Sequence, residues 1–432
     1  MIAEFSIENF FSIKSAQTIS FVPTTDAFMA DEYSYEVKEG TRLLKIGIIY
    51  GANASGKTNI LNAVGFFRRL VLRMPKDRNE KTGVVSFMLD DTSRNRTTKM
   101  SMTFYINQSK HILSFEIDAK RIYAETLIVY DSVRPTTLYR RNYDASTDST
   151  TINFGENLKM SKRSKDVVFG NTINNCSVLA AFGKSNVERT RLNDVYDYFA
   201  KQVHDVLAPG MLLSGYVKTQ LDRDASGDLK RFVLDFLKAS DFNIEDVTLR
   251  KQEQPITPAL ETVIQNAPID KEAKSAMLRY GKVMNTELTF KHKAGGKDYD
   301  LSETYESNGT IRFMGLAVIL NYLLKTNRFV PIDEVETSIH YELLAYFIKV
   351  FLANSDGTSQ MLLTTHDINL LNEDFIRRDT IWFTDKDELG ETRIVRLSSL
   401  GLHKNLSPYN AYKQGKLVQL PFLGSQYINL NG

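Results

Sequence analysis

The chain has a single cysteine, Cys176, in 432 residues. No disulfide can form within one chain, and that usage fits a reducing cytosol. Histidine is sparse too. The six residues at 111, 204, 292, 340, 366 and 403 are too dispersed for an HNH nuclease motif, and none stands with a cysteine at zinc-ligand spacing. No apolar run reaches the roughly 20 residues that a membrane helix needs. Glu4 and Glu8 interrupt the first stretch too early for a signal peptide. Net charge is only +2, so no whole-chain field advertises a nucleic acid or membrane partner. Repeats and low-complexity tracts are missing as well. The expectation is a cytoplasmic protein without a membrane partner, long enough for about two or three domains and a sizeable core.

What is present is a change of pattern along the chain. Residues 1–23 alternate polar and apolar and predict a strand, a turn near Asn9–Ser12 and a second strand. The nearly continuous apolar run Leu43–Tyr50 predicts one buried parallel strand. Helical spacing follows at Ile60, Leu61, Val64, Phe67 and Leu70. Short β-type runs at Val84–Met88, Met100–Tyr105, Ile112–Ile117, Ala124–Tyr130 and Thr150–Phe154 predict an antiparallel lobe. Residues 178–285 turn helical, best at Leu192–Leu207 and Leu229–Leu237. Beyond them strands and helices alternate again, with strands at Leu288–His292, Tyr299–Leu301, Phe329–Ile332, Met361–Thr365, Thr380–Thr384 and Arg393–Leu397. Helices are expected at Ile311–Leu324 and Tyr341–Leu352. Both ends read as α/β and the middle as insertions.

The strongest chemical signal is Gly51-Ala52-Asn53-Ala54-Ser55-Gly56-Lys57-Thr58, which fits G-x-x-x-x-G-K-[ST] at every fixed position. Gly51 and Gly56 let backbone N–H groups turn inward around a β-phosphate. The helix that follows adds its N-terminal partial charge. Lys57 neutralises β/γ oxygens and the Thr58 hydroxyl ligates Mg²⁺ in this motif. The motif lies between an apolar strand and an amphipathic helix, where its mechanism needs it, so ATP or GTP binding is expected. Phe329-Val330-Pro331-Ile332-Asp333-Glu334 is an apolar strand ending in acids, the Walker B pattern. Asp333 is the expected Mg²⁺ residue and Glu334 the base that orients or deprotonates water. Pro331 departs from the pattern, because proline cannot donate to a central ladder. Met361-Leu362-Leu363-Thr364-Thr365-His366 follows at one crossover's interval and makes His366 a candidate γ-phosphate sensor. Ser307-Asn308-Gly309 opens a helix and offers a further anion site, against the plainer reading of an ordinary helix cap.

The order of these motifs resembles ABC-type ATPases of the SMC/RecF/OLD group. Its closest likeness is to stand-alone ATPases of bacterial anti-phage, abortive-infection systems such as RloA, AbiL, PtuA and AriA. The resemblance covers about residues 1–130 and 286–385. It implies an α/β P-loop NTPase fold, an ABC-type head with an antiparallel β-lobe and an inserted helical domain. The implied parts are residues 1–75 (first half of the head, with the P-loop), 76–175 (lobe), 176–285 (helical insertion), 286–402 (second half of the head) and 403–432 (tail). The resemblance implies ATP and Mg²⁺ as cofactors. It implies Glu334, Lys57 and His366 as catalytic residues, and Gly51, Asn53, Ser55, Gly56, Lys57, Thr58 and Asn59 as nucleotide-binding. Thr58 and Asp333 would take the metal. Ser307, Asn308 and Gly309 match the signature that reaches a partner subunit's γ-phosphate, and Thr337–His340 match the D-loop. ATP would then be sandwiched in a homodimer or higher homo-oligomer that controls a separate effector, a nuclease or toxin from the same operon. The alternative is a RecF-like DNA repair ATPase acting on DNA directly, which leaves nucleic acid open as a partner. The signature lacks Leu-Ser-Gly-Gly-Gln, and no Q-loop glutamine stands out, since Gln108 lies in a polar turn.

Three features read as bland. Asp222–Asp228 begins like an EF-hand loop, but its twelfth position is Val233. The basic clusters at Arg68–Arg78 and Lys159–Lys165 read as solvated faces. Leu417, Leu420, Phe422 and Leu423 give the tail an apolar side that packs on the head or docks a partner.

Overall fold

The computed structural model describes residues 1–211, 213–267, 270–401, 403 and 406–418. Leu420, Phe422 and Leu423 lie outside the described residues. The chain divides into two compact units. Unit one is Met1–Pro209, Leu323–Glu336 and Ile348–Gly432, and unit two is Gly210–Tyr322 with Thr337–Phe347.

Unit one opens with β1 (Ile2–Glu8), a turn in which Asn9 and Phe11 take positive φ, and β2 (Gln17–Ser20). A small hairpin of β3 (Ser34–Lys38) and β4 (Thr41–Leu44) follows. The expected single strand Leu43–Tyr50 is broken at Lys45, and β5 (Ile46–Gly51) starts beyond it. Lys45 is buried, donates Nζ to the Ser355 carbonyl at 2.6 Å, and burial pulls its ammonium below the usual lysine value. Lys45 is where the run changes partners: its amide donates to the Tyr33 carbonyl at 2.8 Å, extending the β3–β4 hairpin, and its carbonyl accepts the Met361 amide of β15 at 2.8 Å.

Five strands build the lobe: β6 (Thr98–Ile106), β7 (Ser109–Ile117), β8 (Ile122–Tyr130), β9 (Thr136–Asp144) and β10 (Ser149–Phe154). Together with the first two strands they form one antiparallel sheet in the order β10-β9-β8-β7-β6-β1-β2. Its inner face is set by strict alternation, as in Met100, Met102 and Phe104 of β6 and Leu113, Phe115 and Ile117 of β7. The expected strand Val84–Met88 pairs in no ladder. It is tied to the first turn, with Phe11 N donating to the Val85 carbonyl and Phe87 N to Asn9 Oδ1.

The expected helix Leu192–Leu207 is shorter. Helix Arg191–Asp197 runs into a π turn, Tyr198–Gln202. The chain then extends, and the Leu207 and His204 amides donate to the Pro331 and Phe329 carbonyls. Arg68 Nε takes the Phe199 and Val203 carbonyls at 3.1 and 2.6 Å, so this member of a basic cluster caps an irregular helix end.

In unit two, β11 (Asp246–Pro255), β12 (Lys282–Ala294) and β13 (Lys297–Ser302) form an antiparallel sheet. β11 was not expected within the helical middle. Most of its residues are exposed, so it lacks the alternation that reveals a half-buried strand. Helices Leu213–Asp222 and Asp228–Ala239 accompany the sheet, with Phe236 and Phe242 stacked on Phe313 at 4.9 and 5.3 Å.

Unit one resumes with β14 (Phe329–Ile332), β15 (Gln360–Thr365), β16 (Ile381–Lys386) and β17 (Thr392–Arg396). The core sheet runs β14-β15-β5-β16-β17, parallel except for the last strand. β14 is its outer strand, which explains Pro331: among the described residues only isolated bridges meet its far side. Buried Gln360 joins sheet to lobe, exchanging hydrogen bonds with Ile2 N and O and donating to the Leu44 carbonyl. Helix Lys57–Leu72 packs against the lobe through Phe67, whose ring meets Phe5, Phe115 and Phe199 at 5.6, 5.1 and 5.8 Å.

Candidate nucleotide site

The P-loop leaves β5 at Gly51 and enters helix Lys57–Leu72 at Gly56. Both glycines are required by space. A Cβ on Gly51 would stand 2.2 Å from Thr384 Oγ1, and one on Gly56 would stand 2.1 Å from Thr392 Oγ1. Gly56 also holds φ +105, and Ala54 takes the left-handed region at φ 64. The loop is buttressed by hydroxyls. Ser55 Oγ meets Thr384 Oγ1 at 2.6 Å, and Thr392 Oγ1 donates to the Ser55 carbonyl at 2.9 Å. Asn59 Nδ2 donates to Ser12 Oγ at 2.7 Å, fastening the first turn to the P-loop helix. Thus the Ser55 and Asn59 side chains, both expected to meet nucleotide, are engaged in holding the loop; Asn59 also lines the cavity described next.

A cavity of about 420 Å³ lies over the loop, lined by Asn53, Ala54, Gly56, Lys57, Thr58, Asn59, Glu334, His366 and Lys386. Thr58 Oγ1 donates to Asp333 Oδ2 at 2.9 Å, and Thr364 Oγ1 donates to Asp333 Oδ1 at 2.5 Å. Glu334 sits at φ 44, with its amide held by Thr364 Oγ1 at 2.8 Å. Lys57 Nζ donates to the Gly51 and Ala52 carbonyls at 2.8 and 3.1 Å and to His366 Nδ1 at 3.1 Å. A lysine ammonium only donates, so Nδ1 is the acceptor, and Nε2–H points to Glu334 Oε1 at 3.1 Å. Lysine, imidazole and carboxylate therefore form one line. Glu336 accepts the His366 amide and steadies its backbone. Burial pulls the Lys57 ammonium below its ordinary value, opposed by Glu334, Glu336 and Asp333.

This donor set fits a nucleotide with a hard cation: a glycine cradle that any Cβ would fill, a buried ammonium, and a hydroxyl beside a carboxylate, which are oxygen ligands suited to Mg²⁺. The structure brings together Lys57, Thr58, Asp333, Glu334 and His366. Ser307, Asn308 and Gly309 belong to unit two. There Ser307 Oγ accepts the Thr310 amide at 3.0 Å, and a Cβ on Gly309 would meet the Ser338 carbonyl at 2.6 Å. The Asp222–Asp228 turn is closed by its own side chains, Asp224 accepting Lys230 N at 2.9 Å. No cluster of three metal-ligating side chains is present among the described residues. Sequence reasoning missed Thr364, Thr384, Thr392 and Lys386. Threonine near a strand end has no spacing that marks it: Thr364 and Thr384 lay in expected strands, but nothing local gave their hydroxyls a role.

Fold and site define a P-loop NTPase with an ABC-type ATPase head. The chain belongs to the family described as "AAA domain, putative AbiEii toxin, Type IV TA system", whose model matches residues 48–372. No curated protein matches it significantly. Similar solved structures include the SMC head domain from Thermotoga maritima, at 12% identity and TM-score 0.41 over 91% of this chain and 98% of that one. They also include an SmcHead bound to the C-winged helix domain of ScpA, at 12% identity and TM-score 0.43 over 95% and 99%. A third is an Smc head domain with an extended coiled coil bound to the C-terminal domain of ScpA derived from Pyrococcus furiosus, at 12% identity and TM-score 0.38 over 96% and 98%. Likeness at that level carries no functional weight. No helix among the described residues is long and apolar enough to cross a membrane.

Proposed function

We propose that this chain binds ATP with Mg²⁺ in the P-loop cavity and hydrolyses it, and that nucleotide state governs its assembly and the activity of a separate effector in anti-phage defence. The observation that carries the reading is the Lys57–His366–Glu334 line beside the Thr58–Asp333 contact. It joins the cation that meets phosphate to the carboxylate that meets water. Thr58 and Asp333 would hold Mg²⁺, which would supply charge neutralisation to the phosphates. Gly51 to Lys57 cradle the phosphates with backbone N–H groups, and Lys57 exchanges its P-loop carbonyls for phosphate oxygens. Glu334 orients the attacking water and accepts its proton. His366 donates from Nε2 and fixes that carboxylate while bordering the γ-phosphate position. Ser307, Asn308 and Gly309 of a second chain close the site, which makes the homodimer the working form. Anti-phage control is the finest part of this reading and is supported by the family description, which names a toxin system.

ATP turnover by the purified chain, alone and with its operon neighbour, tests the reading beside Glu334→Gln, with assembly size measured in the same samples. The expected result is turnover in the wild type, its loss in the variant, and an ATP-dependent dimer or larger assembly trapped by the variant. Equal turnover in wild type and Glu334→Gln removes Glu334 as the base. An effector that ignores nucleotide state removes the control function.

A further inference from the structure

Four parallel strands of the core sheet end at one edge: β14, β15, β5 and β16. Three deliver groups already described, namely Asp333 and Glu334, His366, and the P-loop. The fourth ends in Lys386, whose side chain lines the same cavity as Lys57, Glu334 and His366. We propose that Lys386 is a second nucleotide-binding lysine, which holds the phosphates retained in ADP from the β16 flank of the cavity. The proposal rests on nucleotide binding at this site.

Register places the residue. Thr384 lies opposite Gly51, and its hydroxyl touches Ser55. Side chains alternate along a strand, so Lys386 stands on the Thr384 side, toward the loop. The hairpin that carries it is anchored, because Thr392 donates its hydroxyl to the Ser55 carbonyl at 2.9 Å and its amide to the Ser12 carbonyl at 2.7 Å. Lys386 is therefore a long cation on a fixed base.

Charge gives it a use. Lys386 is half-buried, and its ammonium has no acceptor among the described residues. Nearby Asp387 is taken by Arg393 at 3.2 Å and by the Leu389 and Glu391 amides at 3.0 and 2.9 Å. A lysine drawn partly out of water whose ammonium has no acceptor is a receptor for an anion. Sheet order sets which phosphates it meets. β5 separates β16 from β15 and β14, so Glu334 and His366 border one flank and Lys386 the other. The transferred end of the triphosphate faces the carboxylate, and the retained end falls to Lys386.

The test is equilibrium binding of ATP, ADP and adenosine to the full chain, as wild type, Lys386→Gln, Lys386→Met and Lys386→Arg. Loss of the charge is expected to weaken ATP and ADP alike by about tenfold or more, leave adenosine unchanged, and be largely restored by arginine. Nucleotide-free unfolding of all variants should match the wild type, and the methionine variant keeps the stem packed if glutamine disturbs it. Unchanged ATP and ADP affinity in both neutral variants overturns the proposal. Weakening of ATP alone overturns the assignment to the retained phosphates. A wild-type chain that binds neither nucleotide removes the reading of the site itself, a separate failure.

Discussion

Thr364 shows how much of a site one residue without an assigned role can carry. It is fully buried, donates to Asp333 Oδ1 and accepts the Glu334 amide. One hydroxyl thus fixes the expected metal carboxylate and the expected base, and holds Glu334 in a left-handed conformation that non-glycine residues adopt at a cost. Thr364→Val preserves shape and removes the hydroxyl. A buried N–H then loses its acceptor and a carboxylate loses a donor, at about 1–3 kcal/mol. We expect urea unfolding to show a stability loss of that order, and turnover to fall further than ATP affinity. Turnover falling only in step with affinity would separate Thr364 from the placement of Glu334. Lys57, Asp333 and Glu334 were legible in the sequence, because they sit at fixed spacing in local patterns; Lys386, with no motif around it, was not. The roles of Thr364, Thr384 and Thr392 were not, because their partners lie 30 or more residues away, as when Thr384 meets Ser55 across 329 positions.

Among elements, the parallel strands were the most readable. Both faces of β5 and β15 are buried, which forces continuous apolar runs. The misread elements are those decided by a partner. Lys45 divides a run because its amide pairs with Tyr33 of the hairpin and its carbonyl with Met361 of the core sheet. Segment 203–207 leaves its helix to lie beside β14, and Val84–Met88 is tied to a turn instead of a ladder. The β16–β17 hairpin teaches the same lesson at the P-loop, since it presses Thr392 against Gly56. Gly56→Ala adds a Cβ at 2.1 Å from that hydroxyl and strains a backbone at φ +105. A loss of more than about 1 kcal/mol of stability is expected, together with loss of nucleotide binding. Thr392→Ala in the same background should relieve the contact with Thr392 and leave the φ strain and a 2.9 Å approach to Ser12 Oγ. A thermal melt and a binding isotherm on the single and double variants check this, and full rescue by Thr392→Ala would mean that neither the φ strain nor the Ser12 contact contributes.

At the scale of the molecule, ends of the chain far apart in sequence are locked by buried charge. Arg377 and Asp379 form a two-pronged pair at 3.0 and 2.7 Å, with side chains 2% exposed. Asp379 also accepts the Thr24 amide and hydroxyl at 2.8 and 2.9 Å, across 355 positions. Burial by itself raises the Asp379 carboxyl, but the Arg377 fork and the Thr24 bonds outweigh it and hold the group below the ordinary carboxylate value. A depressed folded value means that the unfolded chain binds this proton more readily. The stabilisation is complete above about pH 4 and is lost as pH falls through the folded value. Urea midpoints should therefore drop on acidification below about pH 4. Asp379→Asn should flatten its part of that drop while costing about 3–5 kcal/mol at neutral pH, since Arg377 is left buried without its anion. A variant with the wild-type pH profile would show that Asp379 titrates alike in both states.

The sequence by itself determined the P-loop, the parallel core strands, most of the antiparallel lobe and the order of the motifs, because each is written in local spacing or periodicity. Tertiary structure alone decided where apolar runs break, how a proline is accommodated in β14, which hydroxyls carry the P-loop, and that Lys386 shares its cavity. Those outcomes depend on which distant groups satisfy a buried donor, acceptor or charge, and only the folded chain brings such groups together.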